Sequence, residues 1–266
     1  MLSAAARNFN FFEYSLSFGP AVRLIQEECP VDAAEFRMFE KVMLPYVEAR
    51  DKVYAVLPGG KKWRSFIPSR PKILEYYLTT KALRPRAGMV YVDLASYMSL
   101  YPSYLAEQHG VVAIRQDMLY TPGKRTVGFP SVLKPGQKVQ MQCLGGNAIK
   151  LDMPDASADA MALQCSIEHF EGTSDTEAIV EAWRVLKPGG RLLIIPFYCG
   201  DKYEEIMVKD CPPGCQFRRH YDPFQFRRRV LEHIPTDFEV EMRYYRNVKE
   251  IDPQFYCVYS VALRKP

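Results

Sequence analysis

No run of apolar residues in this 266-residue chain approaches the roughly 20 that a membrane-spanning helix needs. The chain is therefore not expected to span a membrane. Charge of one sign is also missing: 35 Lys and Arg face 31 Asp and Glu, a net charge of +4. The basic residues come as local groups, Lys61-Lys62-x-Arg64 and Arg227-Arg228-Arg229, not as a stripe. Each group reads as a solvated face or as a contact for a phosphate or other anionic substrate, and nothing asks for nucleic acid. Internal repeats and low-complexity tracts are absent. Met1 to Phe12 has Arg7 and no acid but lacks the apolar core of a secretory signal, which leaves an ordinary amino terminus or an organelle transit segment. An even cysteine framework is missing too, since the seven cysteines are odd in number and scattered. That suits a reducing, cytoplasmic setting. What is present is an ordinary globular balance, 48% hydrophobic and 25% charged, in a chain long enough for one large domain or a domain with a cap.

The most informative stretch runs from Asn147 to Pro196. Ala160 to Leu163 is a short apolar strand, Thr176 to Leu186 carries Ile179, Val180, Trp183 and Leu186 at helical spacing, and Leu192 to Ile195 is a second apolar strand. Lys187-Pro188-Gly189-Gly190 is expected to end the helix, with a basic residue near the negative end of the dipole, a proline that cannot extend it and glycines for a left-handed exit. A strand, crossover helix, strand unit implies an open parallel sheet, whose ligands lie beyond the carboxyl ends of the strands. Gln164 to Phe170 and Pro196 to Gly200 are therefore the positions to watch.

Asn147-Ala148, Leu151-Asp-Met-Pro-Asp155, Ser166-Ile-Glu-His169 and Val185-Leu-Lys-Pro-Gly-Gly-Arg-Leu-Leu-Ile194 together resemble class I S-adenosylmethionine-dependent methyltransferases of the type 11 kind. The similarity covers about the last two thirds of the chain. It implies a Rossmann-like α/β fold, a seven-stranded mostly parallel sheet closed by an antiparallel C-terminal hairpin, over residues 86–266. Residues 1–85 would form an N-terminal helical cap on the substrate side. The implied cofactor is S-adenosylmethionine and the implied partner a small-molecule acceptor.

Taken in order, Ala33 to Tyr46 presents Phe36, Phe39, Val42 and Met43 on one face, and Pro71 to Leu83 presents Ile73, Leu74, Tyr77 and Leu78. Both are amphipathic helices in a region, Phe11 to Pro85, of helical character. Leu57-Pro-Gly-Gly-Lys-Lys-Trp63 is a turn between them. Met89 to Leu94 and Gly110 to Asp117 are strands, Thr121 to Gly136 an irregular loop, and Lys138 to Leu144 a third strand. Lys209 to Tyr221 reads as a polar loop, Pro223 to His233 as a helix, and Phe238 to Tyr245 and Phe255 to Leu263 as the closing strands. Cys211, Cys215, Cys199 and His220 form either a weak metal pattern or free thiols in a turn, and no metal is expected.

Where the family has an acid followed by a Gly-x-Gly-x-Gly turn, this chain has Asp93 and then Ala95, Ser96, Tyr97 and Ser99. Tyr97 would either form a wall of the pocket or fill the space of the cofactor's methionine part. Asp117 is the candidate for the ribose hydroxyls, with a turn or helix-cap Asp as the alternative. Asn147 and Ala148 stand where adenine is met, and Gln164 and Ser166 are candidates for lining the cofactor pocket. His169, with Glu168 beside it, would either take a proton from the acceptor or fix its loop by bonding backbone. The resemblance implies methyl transfer to an oxygen or nitrogen of a small or medium-sized molecule. A catalytically silent scaffold with the same fold, or a non-methyl use of the cofactor, remains open.

Overall fold

The computed structural model describes residues 22–56, 69–97, 99–209, 214–253, 255 and 259–266. Its spine is five parallel strands: β2 (Val90–Leu94), β3 (Val112–Asp117), β5 (Lys138–Gly145), β6 (Ala158–Gln164) and β7 (Leu186–Phe197). They lie side by side in the order β5-β3-β2-β6-β7. Strands buried on both faces need apolar residues at every position, and β6 shows how this chain divides them. Met161 and Leu163 face one core with Trp183, Ile179 and Phe238. Ala160 and Ala162 face the other, among the rings of Tyr76, Tyr91 and Tyr101. The alanines leave room for large neighbours, and Tyr91 sits directly across from Ala160 in the ladder.

Helix α4 (Ser174–Val185) crosses from β6 to β7 over the first core. On the opposite face α1 (Ala33–Val56), α2 (Ser69–Leu83) and α3 (Tyr101–His109) pack together. The closing pair is β10 (Phe238–Tyr245) and β11 (Tyr259–Arg264), antiparallel to each other, with β11 antiparallel to β7. These seven strands have the expected arrangement. Among the described residues no helix is long and apolar enough to cross a membrane.

Several local expectations are corrected. The sheet has nine strands because each edge gains one: β1 (Val22–Cys29) pairs parallel with β10, and β4 (Gly123–Pro130) pairs antiparallel with β5. The first falls in the stretch read as helical and the second in the stretch read as an irregular loop. Most of β4 is exposed, so no alternation of apolar residues marks it, and it forms because β5 offers an unpaired edge. The Lys187-Pro-Gly-Gly190 run does not cap α4. Leu186 is already extended, at φ −67° and ψ 134°, and the run makes a bulge inside β7, where pairing with β6 jumps from Leu186 to Arg191. Pro188 has no N–H for a ladder and Gly189 takes φ +77°, both at home in a bulge.

Helix α1 runs through Pro45 and on to Val56, and Tyr46 and Val47 replace Val42 on its buried face; Val42 is 41% exposed. The predicted polar loop at 209–221 contains β9 (Phe217–His220), which forms a two-stranded arm with β8 (Glu204–Met207). The predicted helix at Pro223 to His233 is α5 (Pro223–Arg229) followed by a 3-10 turn. Between β10 and β11 lies α6 (Val248–Ile251). The predicted turn Leu57 to Trp63, with Lys61, Lys62 and Arg64, lies outside the described residues, as do Met1 to Phe12 and Cys211.

Gly145 at the end of β5 is a tight point, because a Cβ there would sit 2.0 Å from the Thr121 carbonyl oxygen, which is backbone and cannot swing away. Gly145→Ala should therefore cost about 1–3 kcal/mol, read as a lower urea midpoint. Gly200→Ala, with nothing within 4 Å of the added carbon, should change it by under about 0.5 kcal/mol. Equal midpoints for the two variants would contradict this crossing of β5 by the 121 segment.

Candidate functional site

The carboxyl ends of β2, β3, β5 and β6 open into one cavity of about 470 Å³, within the range of small-molecule sites. Its first wall is the turn after β2. Ala95 and Tyr97 hold φ of +50° and +32° there, the left-handed region that a glycine would enter without strain. The end of β3 holds this turn. Gln116 accepts Ala95 N–H at 3.1 Å through its side-chain oxygen and Ser96 N–H at 2.8 Å through its carbonyl. Asp117 accepts Tyr97 N–H at 2.8 Å on Oδ2 and Leu119 N–H at 2.8 Å on Oδ1. The Tyr120 hydroxyl donates to the Tyr97 carbonyl. Gln116 Nε2 ties the turn to the next loop by donating to Gly146 O at 2.6 Å. Burial raises the Asp117 carboxyl above its ordinary range, and the two amides oppose that shift.

The floor is a short chain of hydrogen bonds. Gln164 Nε2 donates to the Tyr91 hydroxyl at 3.3 Å, and that hydroxyl donates to Asp93 Oδ1 at 3.2 Å. This leaves Asp93 Oδ2, Gln164 Oε1 and Ser166 Oγ buried without a hydrogen-bond partner among the described residues. Burial pushes the Asp93 carboxyl up to about 6, against the pull of the Ser99 hydroxyl and the Arg115 guanidinium. Lys72 and Arg50 reach the same cavity from α2 and α1.

His169 ends a 3-10 turn that follows β6. Its Nδ1 lies 2.7 Å from the Phe217 carbonyl on β9, so Nδ1 carries the proton and Nε2 the lone pair when the ring is neutral. Nε2 is 3.8 Å from Glu168 Oε1. His169 lines the cavity; Glu168 is buried behind it, 3% exposed.

The arm that supplies Phe217 is anchored by a fully buried guanidinium. Arg219 on β9 donates to Phe170 O at 2.7 Å and Gly172 O at 2.9 Å, and pairs with Asp175 at 2.9 Å and Glu205 at 3.0 Å. Asp175, at the start of α4 and fully buried, also takes Arg229 at 2.7 Å and the Tyr221 hydroxyl at 2.7 Å. The His169 loop, α4, α5 and the arm thus share one charged cluster.

Residues 130–194 match the family model described as a methyltransferase domain. The architecture aligns with the 1,6-didemethyltoxoflavin-N1-methyltransferase of Burkholderia thailandensis, a structure with bound 1,6-didemethyltoxoflavin and S-adenosylhomocysteine. The TM-score is 0.53 at 13% identity, covering 90% of this chain and 92% of that one. The chain has the class I methyltransferase fold. Among curated relatives of this methyltransferase-fold protein, the demethylmenaquinone methyltransferase of Deinococcus radiodurans is 42% identical over 52 residues, 20% of this chain and 21% of the relative. The ubiquinone/menaquinone biosynthesis C-methyltransferase UbiE of Methylobacterium nodulans is 32% identical over 107 residues, 40% of this chain and 36% of the relative. The matched segments thus span about a fifth and about a third of those relatives.

The methyltransferase fold brings Asp93, Ala95, Ser96, Tyr97, Ser99 and Asp117 to the cavity, together with Asn147, Ala148, Gln164, Ser166 and His169. Tyr97 is half-buried in its wall and the cavity stays open beside it. His220 is not in the cavity; its ring stacks on Tyr198 at 5.8 Å. Among the described residues no group of three or more His, Cys, Asp or Glu side chains is placed to hold a metal ion. Arg229, read from sequence as part of a solvated face or an anion contact, is committed to Asp175. Lys72, Gln116 and Arg219 were not singled out. Lys72 had a signal, since Lys72, Glu75, Tyr76 and Thr79 recur at helical spacing and place a charged pair on the buried face of an amphipathic helix.

Removing Asp175 would leave Arg219 and Arg229 short of a buried partner. Asp175→Ala should cost about 3–5 kcal/mol of stability by urea denaturation, while Arg228→Ala, at an exposed position, should stay within about 0.5 kcal/mol. A small loss for Asp175→Ala would show that the cluster does not anchor the arm.

Proposed function

We propose that this protein binds S-adenosylmethionine in the cavity and transfers its methyl group to a small or medium-sized acceptor. The observation that carries the reading is the floor: Asp93 Oδ2 and Gln164 Oε1 are buried acceptors without partners at the wall of a cavity beyond parallel strand ends. Buried acceptors left empty cost about 1–3 kcal/mol each, so a ligand that brings donors is favoured there. The adenosyl cofactor fits this donor set. Asp93 would hold its ammonium, the lone pairs left on Asp117 its ribose hydroxyls, and Asn147 beside Ala148 its adenine amine. Ala95, Ser96, Tyr97 and Ser99 shape the turn over it, and Gln164 and Ser166 complete the floor.

When bound, the cofactor supplies an electrophilic methyl group on a sulfonium. The chain's own task is alignment, which can be worth roughly 7–11 kcal/mol, and management of the acceptor's proton. His169 suits that task because its Nδ1–H is given to the Phe217 carbonyl and its Nε2 is left as the proton acceptor, with Glu168 beside it to stabilise the imidazolium. Oxygen and nitrogen acceptors are joined by carbon, because the Methylobacterium relative is named as a C-methyltransferase. Arg50, Lys72 and Tyr76 line the same cavity, which supports α1 and α2 as its cap, while β1 belongs to the sheet. The free cysteines among the described residues support a cytoplasmic setting.

Titration calorimetry with S-adenosylhomocysteine tests the reading. Saturable binding is expected, weaker at pH 5 than at pH 7, because an acid near 6 is protonated at the lower pH and cannot pair with the ligand's ammonium. Asp93→Asn should bind more weakly and lose this pH dependence. No binding by folded protein at either pH would favour a scaffold of the same fold.

The mechanism has its own test. His169→Gln should keep S-adenosylhomocysteine affinity within about twofold and lower turnover of a hydroxyl acceptor by about a hundredfold or more. Joint loss of affinity and stability would make His169 a fixture of the loop instead.

A further inference from the structure

Helix α2 carries a charged pair where packing alone would favour apolar residues. Lys72 Nζ lies 2.7 Å from Glu75 Oε1, with the side chains 16% and 4% exposed. A buried ion pair of this kind adds little stability over an apolar pair of the same volume. The neighbours Ile73, Leu74, Tyr76 and Tyr77 are all core residues. An ammonium has three donors, and Glu75 takes one of them. Lys72 lines the same cavity as Asp93, Gln164 and Ser166, its charge acts on the Asp93 carboxyl, and each of those three residues has a buried polar atom without a hydrogen-bond partner among the described residues. The cavity therefore offers acceptors for a cation and a donor cation for an anion. Met118, Leu119 and Ala148 also line the cavity, together with the Asn147 amide and the Asp117 carboxylate.

A ligand matching these groups carries a flat, amide-seeking ring system and a zwitterionic α-amino acid. We propose that Lys72, held in place by Glu75, binds the carboxylate of that amino acid group while Asp93 and Gln164 take its ammonium. Helix α2 then forms part of the cofactor site, well outside the matched 130–194 segment. The inference rests on the adenosyl reading above and adds to it a residue and a reason for the cap. The Lys72–carboxylate pair would be a charge-assisted hydrogen bond in a site sheltered from water.

Two ligands separate the inference from the reading it rests on. S-Adenosylhomocysteine has the amino acid group; 5′-deoxy-5′-methylthioadenosine lacks it and keeps the adenosyl part. Calorimetry on the wild-type chain should give tighter binding of the first. Lys72→Met should weaken S-adenosylhomocysteine by about tenfold or more and leave methylthioadenosine within about twofold, and Lys72→Arg should restore most of the difference. Because Lys72→Met strands the Glu75 carboxylate, the pair Lys72→Met with Glu75→Gln, which removes both charges at similar volume, is measured alongside and should show the same selective loss. Equal loss for both ligands, or no loss for either, overturns the role of Lys72 while the adenosyl reading stands. Binding of neither ligand by the wild type overturns both.

Discussion

A left-handed turn built without glycine depends on two side chains at the end of the neighbouring strand. Ala95 and Tyr97 hold positive φ, at a cost of order 1–3 kcal/mol each. Gln116 accepts the amides of Ala95 and Ser96 on neutral oxygens, worth about 0.5–1.5 kcal/mol each, and Asp117 accepts that of Tyr97 on its carboxylate, worth about 1.5–3 kcal/mol. These magnitudes are comparable, so the turn is tenable as long as β3 ends where it does. The backbone path that glycines would have provided by freedom is here imposed by hydrogen bonding. The cavity exists because that path bends away from the strand ends.

Everything around the cavity serves to fix its walls from a different element. Tyr91 links Gln164 of β6 to Asp93 of β2, Gln116 links β3 to the loop after β5, and the Phe217 carbonyl fixes the His169 ring from the arm. Arg219, fully buried, holds the loop carbonyls of Phe170 and Gly172 against Asp175. Such a cluster is costly to desolvate and specific in geometry. It places rigidity beside His169.

The parallel spine was legible because its strands are short apolar runs buried on both faces, and β10 was read to its ends from the alternation Phe238, Val240, Met242. The edge strand β4 was not, because it is mostly exposed and forms against β5's open ladder, and β1 fell in a stretch of helical character. The Lys187-Pro-Gly-Gly190 run misled for a related reason: helix-stopping residues and bulge residues are the same residues. In the site, the strand-end positions Asp93, Asp117, Asn147, Gln164 and His169 were accessible through the resemblance and the rule that ligands lie beyond carboxyl ends. Gln116 looked like an ordinary strand residue, and Arg219 meets Asp175 only after the chain has made β7 and the arm. No local pattern announces such a pair.

The central claim is that a hydrogen-bonded, glycine-poor turn still leaves room for an adenosyl cofactor. A crystal structure of the protein soaked with S-adenosylhomocysteine addresses it most directly. The account predicts density in the cavity with the ribose oxygens within hydrogen-bond distance of Asp117, the adenine beside Ala148 and the amino group near Asp93, the turn at Ala95 to Tyr97 keeping its positive φ. A Tyr97 ring lying across an empty cavity, or a ligand bound away from Asp93 and Asp117, would contradict it.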